Sequence, residues 1–144
     1  MEDFTIRPMT PADYPAAIAL WRAIPGMGLH SLDDSEAGIA KLLARNPGLS
    51  FLAEQGGGLT GCVMAAHDGR RGAIYHACVL PGLQNQGLAT RLMEHTLAAL
   101  KAEGITKVAL NCYRDNPSGN QFWNARGWIL RQDLNHYEYI LVPQ

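Results

Sequence analysis

The chain has 144 residues, 47% of them hydrophobic and 17% charged, with a formal net charge of -1. That length supports one domain with a single sizeable core, and the near-neutral balance argues against a nucleic-acid or anionic-membrane surface. Cys62, Cys78 and Cys112 stand far apart with no C-x-x-C spacing, which leaves no zinc motif or disulfide framework and favours reduced thiols.

The N-terminus, MEDFTIRPMTP, carries acidic residues and lacks the apolar run of a signal peptide. No stretch approaches the ~18–20 apolar residues of a membrane helix, so a soluble cytoplasmic protein is expected. Phe4 to Arg7 alternates as a strand and stops at Pro8. Thr10 caps a helix with Pro11 at its first position, and Ala16, Ala17, Leu20, Trp21 and Ile24 form its apolar stripe. After a loop from Pro25 to Leu32, Asp34 or Ser35 opens a second helix with Ile39, Leu42 and Leu43 inward, closed by Asn46-Pro47-Gly48.

Three strands follow, Leu49 to Glu54, Leu59 to Ala66 and Ala73 to Leu80, joined by Gly-rich and Asp-Gly turns. Simple alternation on the third puts Tyr75 on the face of Ala73 and His76 on the other. Leu88 to Glu103 is an amphipathic helix stopped by Gly104. Val108 to Tyr113 predicts a strand, Pro117 to Arg126 a short helix, and Trp128 to Arg131 and Tyr137 to Val142 two closing strands. Antiparallel hairpins thus feed one right-handed parallel crossover in a single α/β domain spanning residues 1–144.

The informative segment is the polar turn Gln84-Asn85-Gln86-Gly87, which joins a buried strand to Leu88-Ala89-Thr90 at a helix start. Helix N-terminal amides lack internal acceptors and carry partial positive charge, so such a turn suits a phosphate. Arg91 adds a cation nearby. The turn has neither the G-K-[S/T] of a Walker loop nor a Gly-x-Gly-x-x-Gly fingerprint.

Gln84-Asn85-Gln86-Gly87-Leu88-Ala89 resembles the Q/R-x-x-G-x-G/A motif of the GNAT N-acetyltransferase superfamily. Asn116 to Trp128 resembles a second signature of that family, N-x-x-A-x-x-F-Y-x-x-x-G-F, at the same spacing. Gly69-Arg70-Arg71 and the paired tryptophans look like a bacterial subgroup whose substrate is unassigned. The resemblance implies a mixed, mostly antiparallel sheet of six to seven strands with about four helices, splayed between the fourth and fifth strands. It implies acetyl-CoA as co-substrate and transfer of an acetyl group to a primary amine of a small molecule, peptide or protein. It also implies that the pantetheine pairs with backbone groups of Cys78, Val79 and Leu80, and that the pyrophosphate lies on Gln84, Asn85, Gln86, Gly87, Leu88, Ala89 and Thr90. Asn116 matches an asparagine that binds pantetheine in that family, and is equally a helix N-cap.

Two departures leave the catalytic residues unassigned. Trp123 stands where the family carries the tyrosine that protonates the thiolate, and an indole N–H does not release a proton at neutral pH. Trp123 is then a coenzyme-side wall or a core residue, and Tyr113 and Tyr137 are candidate acids. Ala73 falls at the family's glutamate, which leaves His76 and Tyr75 as candidates on the central strand. His30, Asp33, Asp34 and Glu36 cluster before the second helix, as candidate bases or as ordinary helix N-terminal chemistry. His95 and His136 have no metal-ligand spacing, and no metal is expected. An acyl-CoA-binding regulatory module is the alternative to an enzyme, and a homodimer is compatible with the family.

Overall fold

Strand β1 (Thr5–Pro8) ends at a proline, and the chain turns at Thr10 into a 3-10 turn over Pro11–Asp13. A capping box holds that turn: the Thr10 N–H donates to Asp13 Oδ2 at 2.8 Å while Thr10 caps in return. Helix α1 (Tyr14–Arg22) follows and buries Ala17, Leu20 and Trp21, the i, i+3 and i+4 spacing of one helix face. Ser35 caps α2 (Glu36–Arg45) by accepting from the Gly38 N–H at 3.0 Å. Gly38 is required there, because a Cβ would stand 2.5 Å from the carbonyl oxygens of Leu32 and Asp33.

Strands β2 (Phe51–Gln55), β3 (Gly58–His67) and β4 (Gly72–Val79) form an antiparallel meander beside β1. Gly56 and Gly57 both take positive φ, which suits the tight β2–β3 hairpin. Helix α3 (Leu88–Ala102) then crosses over to β5 (Val108–Leu110), which pairs parallel to β4, giving the order β1-β2-β3-β4-β5. Helix α4 (Pro117–Ala125) completes the described elements.

The sheet carries apolar residues on both faces. On one, Leu52, Cys62 and Met64 pack with Met9, Ala17, Leu20, Trp21, Ile39 and Leu43. Gly61 and Val63 alternate with Cys62 and Met64 and so face the other side, where α3 buries Leu88, Leu92, Met93, Thr96 and Leu100. Each fully buried leucine contributes roughly 1.5–3 kcal/mol of transfer free energy. Beside β1, the Arg7 guanidinium holds Asp13 with two bonds of 2.7 and 2.9 Å and Glu54 with one of 2.6 Å.

This computed structural model describes residues 3–144, and the chain divides after Leu110 into two compact units. Among the described residues the sheet has five strands, not the six to seven expected. Trp128 to Arg131 and Tyr137 to Val142 form no ladder, and the strand expected to reach Tyr113 stops at Leu110. Alternating apolar residues supply only a preference for extended backbone, and a strand exists when a neighbour takes up its N–H and C=O groups. Ile129, Tyr137, Tyr139 and Leu141 are all more than four-fifths exposed, so neither ladder nor core supports those segments.

Candidate active site

Three features of the first unit meet at the carboxyl end of β4. The first is an open strand edge. Only Gly72 to Ile74 of β4 pair with β5, whereas β4 continues to Val79. The Leu80 N–H donates across to the Thr60 carbonyl at 2.9 Å, and the Leu80 carbonyl accepts from Leu83. Backbone groups alternate sides along a strand in an antiparallel pair. The N–H groups of Val79 and Ala77 therefore point away from β3, to the edge that β5 does not cover.

The second feature is the turn from β4 into α3. Gln84, Asn85, Gln86 and Gly87 are exposed, while Leu88 is buried and anchors the helix. Asn85 and Gly87 both take positive φ, 66° and 82°. For asparagine this is tolerated because its short polar side chain fits the left-handed region. Gly87 is the N-cap and offers no side chain to cap the amides, and the first helical bond runs from the Arg91 N–H to the Gly87 carbonyl at 3.0 Å. The amides of Leu88 and Ala89 thus have no acceptor four residues back, at the positive end of a 15-residue helix.

The third feature is a pair that the sequence did not join. His76 Nε2 lies 2.6 Å from Asp34 Oδ1, with both side chains largely buried. Asp34 Oδ2 accepts from the His30 N–H at 2.7 Å, and the Asp34 backbone carbonyl accepts from the Tyr14 hydroxyl at 2.7 Å. The Trp21 ring sits against the imidazole, centroids 4.7 Å apart.

The strand register explains why His76 can reach Asp34. Ala66 pairs with Ala73 and Cys62 with Cys78, and one extra β4 residue sits between, opposite Met64. This β-bulge resets the alternation. His76, two residues before Cys78, therefore lies on the face of Ala73, contrary to simple alternation.

Thiol chemistry is suppressed here. Burial pushes the Cys78 thiol up to about 12, and burial raises Cys62 well above the usual range. Both stay protonated at neutral pH and are poor nucleophiles. The Trp21 indole N–H finds no nitrogen or oxygen acceptor, and the adjacent Cys62 sulfur is its weak partner.

Tyr75 is exposed on β4. In the second unit, Tyr113 and Tyr137 are exposed, and no side-chain hydrogen bond fixes either phenol among the described residues. Asn116 is the N-cap of α4, its Oδ1 accepting from the Gly119 N–H at 3.0 Å. Trp123 meets Phe122 and Trp128 edge-on, at 4.9 and 5.2 Å between centroids. Among the described residues no three His, Cys, Asp or Glu side chains gather as a metal site, and no helix is long and apolar enough to cross a membrane.

Comparison with known proteins agrees with this geometry. Residues 15–128 match the model of the acetyltransferase (GNAT) family. An acetyltransferase of Pectobacterium atrosepticum is 34% identical over 104 residues, 72% of each chain. The PaiA N-acetyltransferase of Thermoplasma acidophilum, solved in complex with coenzyme A, superposes with a TM-score of 0.77 at 17% identity, covering 88% of this chain and 89% of that one. An aminoglycoside acetyltransferase from an uncultured soil metagenomic sample, solved with sisomicin, gives 0.75 at 18% identity over 97% of both chains. The two structures share the fold, and the family match and the closer sequence relative carry the assignment: the chain belongs to the GNAT family of acetyltransferases.

Proposed function

We propose that this protein is an acetyl-CoA-dependent N-acetyltransferase that delivers the acetyl group to a primary amine by direct attack on the thioester. The observation that carries the reading is the open edge of β4 running into the exposed Gln84–Gly87 turn at the start of α3. An extended pantetheine fits an unpaired strand edge as an added strand fits a sheet, and a pyrophosphate fits the uncapped amides of Gly87, Leu88 and Ala89. A coenzyme A thioester supplies an activated acetyl group. The Val79 N–H, on the open edge, is suited to polarise its carbonyl. Because Cys62 and Cys78 stay protonated, transfer in one step without an acyl-enzyme is favoured. One domain spanning the chain belongs to the same reading, supported by a family match that crosses Leu110.

The test is thiol release from acetyl-CoA across a panel of aminoglycosides, small primary amines and peptide N-termini. Release that depends on the amine supports the proposal. A raised melting temperature with acetyl-CoA, but no thiol release with any amine, supports the coenzyme-binding module instead.

A further inference from the structure

A carboxylate withdrawn from water persists only when its oxygens are paired. Asp34 meets that demand with His76 on Oδ1 and the His30 N–H on Oδ2. The Tyr14 hydroxyl ties the same residue's backbone to α1. This arrangement fixes more than stability requires, because it also determines which imidazole nitrogen is available. A carboxylate only accepts, so Nε2 carries the hydrogen and Nδ1 keeps its lone pair. Trp21 against the ring restricts its reorientation.

We propose that His76 is the general base that deprotonates the acceptor ammonium, and that Asp34 is the positioning residue that holds it in the Nε2–H form. The inference rests on the transferase reading above. His76 stands three residues before Val79 on one strand, roughly 10 Å along it. His76 Nδ1 takes one proton from the ammonium and passes it to solvent. The freed lone pair forms the C–N bond as the C–S bond breaks, and the second nitrogen proton goes to the departing thiolate, giving amide and free thiol.

Tyr14 from α1 spends its hydroxyl on Asp34, and the thiols of Cys62 on β3 and Cys78 on β4 are held protonated. His30, in the loop before α2, contributes its backbone N–H, and Tyr75 is exposed.

The experiment compares wild type, His76→Gln and Asp34→Asn in pH profiles of kcat and kcat/KM, with coenzyme A affinity measured separately. His76→Gln should lower kcat by about 10²-fold or more and erase the acidic limb, while coenzyme affinity stays unchanged. Asp34→Asn should lower kcat about tenfold while KM and coenzyme A affinity stay unchanged, because an amide can accept from the ring or donate to it and no longer fixes the Nε2–H form. If His76→Gln does not fold, the kcat-against-KM split in Asp34→Asn decides alone. Wild-type kcat in the folded variants, or an acidic limb retained in His76→Gln, overturns the dyad and leaves the transferase reading standing. No thiol release by wild type with any amine overturns that reading, and the dyad with it.

Discussion

His76 on β4 and Asp34 before α2, 42 residues apart in the chain, share a 2.6 Å hydrogen bond. Truncating one member of a buried pair leaves the other uncompensated. Asp34→Ala should therefore lower stability by about 3 kcal/mol, and Asp34→Asn by clearly less, since its amide oxygen still accepts. Urea denaturation of both variants measures this. Equal losses would show that an accepting oxygen is not enough and that the imidazole and the His30 amide need the charge of the carboxylate.

Gly87 combines a φ of 82° with the N-cap position of α3. Gly87→Glu adds strain of roughly 1–2 kcal/mol and puts a negative charge where the pyrophosphate is proposed to lie. Coenzyme A affinity should fall at least 100-fold in a calorimetric titration, while the circular dichroism spectrum remains native. Retained affinity would move the phosphate site elsewhere.

Gly61 on β3 leaves room for α3: a Cβ there would meet Leu92 Cδ1 at 2.9 Å and the Cys78 carbonyl oxygen at 3.1 Å. The leucine tip can rotate, but the carbonyl belongs to the β3–β4 ladder. Gly61→Ala should cost about 1–3 kcal/mol by overpacking, and Gly61→Val more. A melting temperature unchanged in the alanine variant would mean that α3 gives way freely.

Arg7 holds the Asp13 carboxyl below its usual range, chiefly through their side-chain hydrogen bonds. A depressed folded-state value adds stability above the unfolded carboxyl's pKa of ~3.9 and loses it as pH falls through the folded value. The stability gap between wild type and Asp13→Asn should be full at neutral pH and close below about pH 4. Denaturation across pH 2–7 reads this, and a gap that widens on acidification would reverse the sign.

Asn116 caps α4 through Gly119. Asn116→Ala should cost about 1 kcal/mol, whereas Asn116→Asp should retain most of the cap. Hydrogen exchange along α4 separates a local loss from a global one.

Most elements up to Val108 were readable because their signals are local. Proline and a capping threonine start the first helix region, Gly56-Gly57 turns the hairpin, and the periodicity of Leu88 to Leu100 faces one side of a sheet. The Gln84–Thr90 turn was readable for the same reason, since uncapped helix amides depend on nearby residues alone. The two closing strands expected from alternation over Trp128 to Arg131 and Tyr137 to Val142 did not form, because alternation carries no information about a pairing partner.

The sequence by itself determined the family and the exposed turn that opens α3, both encoded in short, contiguous motifs. Only the tertiary structure decided that Asp34, read as a candidate base or as ordinary helix-start chemistry, belongs with His76. A one-residue bulge opposite Met64 turns the histidine to that face, and strand register is set by pairing between chain segments rather than within one.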